Sequence, residues 1–318
     1  MKATRLAGAL LIACTATLAC SGPAGTTRAG HTLYVTAAAS SLVDRGLAAA
    51  APNGADAAGF QTVPSPGVQY RPNTAQATSA PWVDSNGWRF QRGVRKAGYN
   101  TLSAGAASLA AAEAFTYGVD AILNPETSDV EALGRMLTFL QAQEQLSLPV
   151  MANIGIVDDR SPLMDEALNM LTRRNLLYRV VTAPDPDLHL TVRLGTKEFP
   201  TAAAANPSEF AARVRAKLGD DNRLVRIYGS STVIAHLVGD GARARLHFLA
   251  YGGRRRQQGR TQEGLRIRLL GRYRPVKVAA YGAPQDARLA DVDNLDDATE
   301  FSLPAFDTYA VVDLEETR

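Results

Sequence analysis

Apolar runs alternate with helical patterns over the first two thirds of the chain. Strands are predicted at residues 33–36, 119–123, 150–157, 178–181 and 188–194. Helices are predicted at residues 42–51, 105–117, 128–145, 161–174 and 206–219. Residues 53–80 are rich in Gly, Pro, Asn and Ser and predict mostly loop, with at most a strand at residues 68–70. Strands that alternate with helices imply right-handed crossovers and a parallel sheet with covering helices.

Three helix starts carry recognisable capping residues. Residues 128–131, Ser-Asp-Val-Glu, form a capping box. Ser161 precedes a proline, and Asn206 precedes a proline and a glutamate, which suits the first turn of a helix. These signals fix where three of the predicted helices begin.

After residue 223 the helical period disappears. Short apolar runs separated by turn residues predict strands at residues 224–228, 232–238, 242–251, 265–270, 276–281, 299–303 and 309–314. Residues 239–241, Gly-Asp-Gly, favour a hairpin between two of them. The pattern predicts an α/β domain over residues 31–222, followed by an antiparallel β-sandwich domain over residues 223–318.

The N-terminal residues resemble a secretory signal peptide. Lys2 and Arg5 precede an uncharged stretch at residues 6–19, and Ala19 stands directly before Cys20. A small residue before a cysteine resembles the bacterial lipobox, so we expect a signal peptide at residues 1–19, lipidation of Cys20 and a flexible tether at residues 20–30. The lipid would then hold an exported protein on the membrane, at the periplasmic face or the cell surface. Cys14 is a second, less suitable lipobox position, and an ordinary cut near Ala19 would export the protein without an anchor.

Composition excludes several kinds of chemistry. The chain is 46% apolar and 20% charged, as in ordinary globular proteins. Loss of residues 1–19 removes Lys2 and Arg5 and no acidic residue, which lowers the formal charge from +3 to +1 and gives no support for a nucleic-acid partner. Both cysteines lie in the leader or at its end, so no disulfide, free thiol or thiolate metal site is expected in the mature protein. The four histidines lack metal-ligand spacing, and no cofactor-binding motif is present, so neither a metal nor a cofactor is predicted; the histidines are His31, His189, His236 and His247.

Two stretches resemble parts of multidomain glycoside hydrolases. Residues 153–159, with residues 164–171 and 177–181, are similar to the opening β-α-β unit of the class I glutamine-amidotransferase-like fold, which occurs in some of these hydrolases as a non-catalytic domain. Residues 300–304 and 309–314 resemble the last hairpin of their C-terminal β-sandwich. The resemblance implies a carbohydrate-related role. It does not imply amidotransferase activity, because no cysteine nucleophile remains, and the region before Asp158 is too short for a (β/α)₈ catalytic barrel.

Both tryptophans lie in one segment, residues 81–90. Their flat faces can stack on sugar rings, and neighbouring polar side chains can bind hydroxyl groups. The predicted substrate-binding residues are Trp82, Asp84, Asn86, Trp88 and Arg89. The alternative is a loop whose tryptophans fill the side of a core.

Three carboxylates are candidates for catalysis. Asp158 and Asp159 follow a predicted strand, where ligands of parallel sheets bind, and Glu113 lies in an alanine-rich helix. Two of them could act as acid and base on a glycosidic bond. The alternative for Asp158 and Asp159 is a pair of solvated turn residues.

Charge is segregated in the C-terminal third. Residues 254–277 contain nine bases and one acid, whereas residues 286–318 contain ten acids and two bases. These segments are expected to pair as neighbouring strands or opposite faces. Alternatively, Arg254, Arg255, Arg256 and Arg260 bind anionic lipid or acidic glycan.

The sequence therefore predicts a carbohydrate-related envelope lipoprotein that binds or positions polysaccharide. One alternative is a glycoside hydrolase, which requires two carboxyl groups facing each other across one cleft at roughly 5 to 10 Å. Another is an assembly partner of an envelope complex, which requires an exposed apolar patch. The protein partner, if any, stays unknown.

Overall fold

The computed structural model describes residues 30–69, 82–144, 146–252, 254–256, 259–295 and 297–317. The expected signal peptide, Cys20 and nearly all of the tether lie outside this part of the chain. No helix in the described ranges has both the length and the apolar composition needed to span a bilayer.

The elements are labelled in chain order. The strands are β1 Leu33–Val35, β2 Ala49–Ala50, β3 Gln61–Thr62, β4 Gly67–Gln69, β5 Trp82–Asp84, β6 Lys96–Tyr99, β7 Asp120–Leu123, β8 Ile154–Val157, β9 Tyr178–Val181, β10 Leu190–Arg193, β11 Val225–Tyr228, β12 Val233–Gly239, β13 Arg243–Ala250, β14 Arg254–Arg256, β15 Gly259–Gln262, β16 Arg266–Leu270, β17 Tyr273–Ala280, β18 Ala290–Asn294, β19 Ala298–Ser302, β20 Phe306–Asp307 and β21 Tyr309–Glu316. The α-helices are α1 Ser40–Asp44, α2 Gly87–Gln91, α3 Ala107–Tyr117, α4 Val130–Gln141, α5 Pro162–Arg173 and α6 Pro207–Leu218. Short 3₁₀ turns lie at Ala37–Ala39, Gly54–Ala57, Thr127–Asp129 and Thr201–Ala205.

The α/β part contains two parallel sheets. The larger has the strand order β2-β1-β7-β6-β3, and the smaller has the order β10-β8-β9; every pairing within them is parallel. Helices α3 and α4 pack together, and α3 packs on β7 of the larger sheet. Helices α5 and α6 pack together beside the smaller sheet. The predicted α/β fold with parallel strands and covering helices is confirmed.

The C-terminal part is a β-sandwich. One antiparallel sheet has the order β11-β16-β19-β18 and the other has the order β12-β13-β21-β17. Alternate residues of the two sheets share one core, which includes Ile267 and Phe301 from the first sheet and Leu246, Phe248 and Val312 from the second. The predicted sandwich is confirmed, since period-2 alternation placed these side chains on one face of each strand.

Helix α3 lies between the larger parallel sheet and the sandwich. Its Ala110, Ala111, Ala112 and Ala114 are fully buried, and small side chains allow close packing on both sides. The opposite face of the β12-β13-β21-β17 sheet meets this helix, because Phe115 contacts Tyr309 edge-to-face with ring centroids 6.0 Å apart. One hydrophobic core therefore continues from the parallel sheet through α3 into the sandwich.

Two predicted helix caps are confirmed. The Ser161 hydroxyl accepts from the backbone N–H of Met164, and the Asn206 side chain accepts from the backbone N–H of Glu209. The capping box at residues 128–131 is wrong, because a 3₁₀ turn precedes α4 and no side chain caps it. The neighbouring Asp129 carboxylate instead accepts from the backbone N–H of Gly105 at 2.7 Å.

Some predicted elements differ in extent or type. The helix at residues 42–51 is wrong, since α1 ends at Asp44 and residues 49–50 form strand β2 beside β1. The strand at residues 150–157 begins only at Ile154, and Val150 makes an isolated bridge with Val238. The pattern also missed strands β3, β5, β6, β14, β15, β18 and β20, which are short, polar or glycine-containing.

Candidate functional site

Glu113 lies at the centre of a fully buried hydrogen-bond network. Its Oε1 accepts from the Tyr251 hydroxyl at 2.5 Å, from the Asn86 backbone N–H at 2.7 Å and from the Ser85 hydroxyl at 3.3 Å. Its Oε2 accepts from the Tyr99 hydroxyl at 2.8 Å and from the Asn86 side-chain amide at 3.0 Å. The network joins α3 to β6, to the start of α2 and to the end of β13 in the sandwich.

Burial raises the pKa of Glu113, and the hydrogen bonds from Tyr251, Asn86 and Tyr99 oppose this effect without cancelling it. The side chain has no exposed surface. A general acid must lie within hydrogen-bond reach of the group that it protonates. Protein donors occupy both oxygens of Glu113, so in this arrangement the carboxyl group supports the fold around it.

Asn86 extends this hydrogen-bond network to helix α2. Its side-chain amide donates to Glu113 and to the carbonyl oxygen of Pro64, and its Oδ1 accepts from Arg89 at 3.1 Å. Both amide hydrogens are therefore used within the protein. The Glu113 carboxylate also accepts a hydrogen bond from the backbone N–H of Asn86 at the N-terminal end of α2. This N–H would otherwise lack a partner within the helix.

Asp158 lies at the C-terminal end of α2. Arg92, the residue after the helix, donates to both Asp158 oxygens at 2.6 and 2.8 Å and also donates to Asp165. The Asp158 side chain is 3% exposed and that of Arg92 is 10% exposed. Burial favours a higher pKa for Asp158, but the Arg92 hydrogen bonds, the Arg160 backbone N–H and both guanidinium charges outweigh it and lower the pKa.

The three predicted catalytic carboxylates do not share a set of partners. Glu113 is bound by neutral donors at the start of α2, Asp158 is bound by Arg92 after its end, and Asp159 accepts from the backbone N–H of Ser161 at 2.9 Å. Asp159 therefore serves the turn before α5. Asp158 differs from the alternative of a solvated turn residue, because its charge is paired and nearly buried.

The two tryptophans lie in different surroundings. Trp88 is 7% exposed and packs in the core beside α5, as the alternative interpretation of this segment expected. The Arg89 guanidinium carbon lies 4.2 Å from the centroid of the Trp88 ring, and that of Arg173 lies 4.1 Å from the centroid of the Trp82 ring. At least one face of each indole is therefore covered by a cation.

Asp84 is also engaged within the protein. Its two oxygens accept from the Trp82 indole N–H at 2.8 Å and from the Gln69 side-chain amide at 2.7 Å. The structure thus brings the predicted substrate-binding residues together around β5 and α2, where Trp82 donates to Asp84 and Arg89 donates to Asn86. Binding of a substrate by these residues stays a prediction.

A polar row that the sequence analysis missed follows the carboxyl ends of four neighbouring parallel strands. The Thr36 hydroxyl donates to Asn124 Oδ1 at 2.7 Å, and the Asn124 amide donates to the Asn100 carbonyl at 2.8 Å. The Asn100 amide then donates to the Thr62 hydroxyl at 3.0 Å. Ligands of open α/β sheets bind at this end. The available signal was the polar residue that directly follows each short strand, as Thr36 follows residues 33–35 and Asn124 follows residues 121–123.

His236 and His247 form a direct cross-strand pair in the hairpin of β12 and β13, with ring centroids 6.1 Å apart. His236 lies against the Tyr117 ring of α3, and His247 Nδ1 lies 2.8 Å from the Tyr309 hydroxyl. Burial lowers the pKa of His236 to about 4 and holds that of His247 well below its usual range. Both rings are neutral packing elements at neutral pH. Within the described ranges, no cluster of three or more histidine, cysteine or acidic side chains is placed to hold a metal ion.

The segregated charges pair across neighbouring strands. Arg266 on β16 lies 2.9 Å from Glu300 on β19, and Arg274 on β17 pairs with Glu315 on β21. The simpler expectation for these segments is therefore confirmed. The side chains of Arg254, Arg255, Arg256 and Arg260 lie outside the described ones, and their proposed contact with lipid or acidic glycan stays a prediction.

Comparison with known proteins gives a likeness in fold alone. No protein-family model matches the sequence, and no curated protein sequence matches it. Among solved structures, the chain is similar to α-L-fucosidase isoenzyme 2 from Paenibacillus thiaminolyticus, with a TM-score of 0.53 and 9% identity, covering 70% of this chain and 60% of the fucosidase. This likeness concerns the fold, and it does not confirm the finer resemblance to an amidotransferase-like domain.

Proposed function

We propose that this protein is an exported, lipid-anchored envelope protein that binds glycan without cleaving it. The observation that carries the non-catalytic part is the state of the two buried carboxylates. Glu113 accepts from five protein donors, and both oxygens of Asp158 bind Arg92. Glycoside hydrolysis requires an acid and a second carboxylate on either side of a bound sugar.

Support for a carbohydrate ligand comes from the fold. The structural neighbour is named an α-L-fucosidase, and this chain covers 60% of its length. A partial hydrolase-like fold whose carboxylates are used for internal packing suits a protein that holds a sugar chain in place. Function depends on the site and not on the fold, so a binding experiment has to decide.

The test of glycan binding uses the chain from Ser21 onward, with wild-type protein beside the variants Glu113→Gln and Asp158→Asn. Each is run through native gels that contain galactomannan, arabinoxylan or mixed-linkage β-glucan, and the same mixtures are chromatographed for released sugars. Retention of wild type in at least one gel without release of sugar is the expected result. Release that disappears in either variant would establish the hydrolase alternative. Folded wild-type protein that is neither retained nor active would overturn the proposal.

The anchor is tested separately in a bacterial host fed an alkyne-labelled fatty acid. Wild type and Cys14→Ser are expected to carry the label and to sediment with membranes, whereas Cys20→Ser is expected to lack the label. Cys14→Ser is the matched control, because it removes the only other cysteine of the chain. Label that depends on Cys14 would move the lipidation site, and label on neither cysteine would remove the anchor.

A further inference from the structure

The two faces of the larger parallel sheet differ sharply. Alternate residues of β1, β7 and β6 point to the α3 side and are at most 1% exposed: Leu33, Val35, Ala97, Tyr99, Ala121 and Leu123. The residues between them point to the other side. Thr62, which pairs with Gly98, belongs to this side as well. We call this side the open face and define it by Tyr34, Thr36, Thr62, Gly98, Asn100, Ile122 and Asn124.

The open face belongs to no hydrophobic core within the described part of the chain. Tyr34 and Ile122 are half-buried, Asn100 and Asn124 are exposed, and none of them is a member of a core cluster. Parallel sheets normally have both faces covered, and their strands are then apolar on both sides. Strands with one polar side are therefore unusual in a parallel sheet and suit contact with water or a polar ligand.

The carboxyl end of the open face carries neutral hydrogen-bonding groups. The row from Thr36 through Asn124 and Asn100 to Thr62 crosses four strands. Each of these bonds leaves capacity unused, because an amide group has two donor hydrogens and an oxygen with two lone pairs, and a hydroxyl group both donates and accepts. A ligand with many hydroxyl groups can bind such a row without displacing its internal bonds.

Gly98 allows the Asn100 side chain to pack over the sheet beside this row. A Cβ atom at Gly98 would lie 3.1 Å from Asn100 Oδ1 and 3.9 Å from the carbonyl oxygen of Gln61. The Asn100 amide group therefore lies back over the sheet and occupies the space above Gly98, which is buried, next to Ile122 on the neighbouring strand. Polar groups and a small apolar floor meet at this place.

Aromatic rings lie at the same face. Tyr34 and Phe60 contact each other edge-to-face, with ring centroids 5.7 Å apart and an interplanar angle of 89°. Lys96 lies 5.5 Å from the centroid of Phe60, towards the amino end of the strands. Aromatic faces pack on the C–H surfaces of sugar rings, and their combination with amide and hydroxyl groups is typical of a ligand site of mixed polarity.

We propose that the open face binds a neutral glycan chain, with the Thr36–Asn124–Asn100–Thr62 row on its hydroxyl groups and Tyr34 against its ring surfaces. Neutrality follows from the row itself, which contains two amides, two hydroxyls and no charged side chain. An acidic glycan would be expected to meet basic side chains there. This inference rests on the proposed function and names its site and ligand class.

The test compares variants of the open face with an aromatic control elsewhere. Tyr34→Ala, Asn100→Ala and Asn124→Ala are each run in the gels containing galactomannan, arabinoxylan or β-glucan, and also in gels containing polygalacturonate. Tyr228→Ala is the control, because Tyr228 is 46% exposed on β11, in the sandwich. Each open-face variant is expected to bind about tenfold more weakly than wild type, and the control equally well. Thermal melting of each variant checks that the fold persists.

The outcomes separate the site from the function. Binding by wild type that the open-face variants retain would overturn this site and leave the proposed function standing. Retention of wild type only in the gel that contains polygalacturonate would overturn the proposal that the ligand is a neutral glycan. No binding by wild type would overturn both proposals. Self-association that depends on concentration in the ultracentrifuge and disappears in Asn124→Arg would assign the face to a protein partner instead.

Discussion

The two buried carboxylates at the ends of helix α2 are stabilised in different ways. Glu113 accepts directly from five neutral donors, and the guanidinium of Arg89 reaches it only through Asn86. Asp158 has a bidentate guanidinium partner in Arg92. Burial without a directly bonded cation raises the pKa of Glu113, whereas the ion pair lowers that of Asp158.

The difference reflects what each carboxylate joins. The donors of Glu113 come from β6, from the residues before α2 and from the end of β13, so this residue ties the parallel sheet to the sandwich. Asp158 and Arg92 tie the end of α2 to the loop before α5, beside the smaller sheet. Neutral donors can be packed closely among alanines, but a guanidinium group needs more room and some water. The Glu113 network is therefore expected to be the less replaceable of the two.

The largest expected effect is that of Glu113→Ala. The substitution removes the shared acceptor of five buried donors, of which the Tyr251 hydroxyl retains a second acceptor in Ser85, and each buried group left unsatisfied costs about 1 to 3 kcal/mol. Allowing for relaxation, we expect a loss of about 4 kcal/mol or more in the free energy of unfolding, measured by urea denaturation.

Glu126→Ala is the matched control, because this glutamate is exposed and its substitution should change the free energy of unfolding by less than about 0.5 kcal/mol. A loss below about 1 kcal/mol in Glu113→Ala would mean that the network contributes little. The proposed tie between the two parts of the molecule would then be abandoned.

Asp158→Ala and Arg92→Ala are expected to cost about 2 kcal/mol each, since each breaks a nearly buried bidentate ion pair, while Asp165 stays with Arg92 and Arg160 stays with Asp158. The double variant should cost clearly less than the sum of the two, because the second substitution removes the charge that lost its bidentate partner in the first. Urea denaturation of all three variants measures the coupling. Strict additivity would show that the ion pair does not act as a unit.

Opposite responses to pH offer a sharper contrast. Asp158 has a lowered pKa in the folded protein, so its stabilisation is present above the unfolded value and is lost as the pH falls below about 4. The disadvantage of Asp158→Asn should therefore shrink in that range. Glu113 has a raised pKa, so the folded protein takes up its proton first and wild type gains stability as the pH falls towards about 4. The disadvantage of Glu113→Gln should therefore grow as the pH falls from 7 towards 4.

Each variant is compared with wild type at the same pH, in urea titrations at half-unit steps from pH 7 to 3. The acid sensitivity of the buried His236, whose pKa is about 4, is then common to both proteins and cancels. Equal slopes for the two variants would contradict the contrast between a neutral network and an ion pair.

The sequence predicted the architecture better than the site. Short apolar runs predicted strands at residues 232–238 and 242–251 with a hairpin between them, and the caps at Ser161 and Asn206 predicted the starts of two helices, because these signals depend on neighbouring residues alone. Strand β6 was missed, because Lys-Ala-Gly-Tyr has little β-propensity and the strand forms through pairing with β7 and β3.

Long-range packing explains what the sequence did not indicate about the site. Glu113 was chosen as a candidate, but its partner Tyr251 is 138 residues away, and no local pattern predicts that bond. The tryptophans suggested a sugar platform, yet Arg173, far along the chain, covers Trp82. The polar row is built from single residues at four strand ends, and only the sheet order brings them together.

The smallest effects come from the two tyrosines that donate to Glu113. Tyr99→Phe and Tyr251→Phe each remove one hydroxyl and leave four donors on the carboxylate, so a loss of about 1 kcal/mol each is expected from urea denaturation. Tyr228→Phe, at an exposed tyrosine, is the matched control and should be neutral. Because both hydroxyls favour the charged carboxylate, the double variant should raise the pKa of Glu113 further and strengthen the pH dependence described above. If instead the double variant titrates like wild type, the tyrosines pack around Glu113 without stabilising its charge, and the contrast with Asp158 would depend on Asn86 and Ser85 alone.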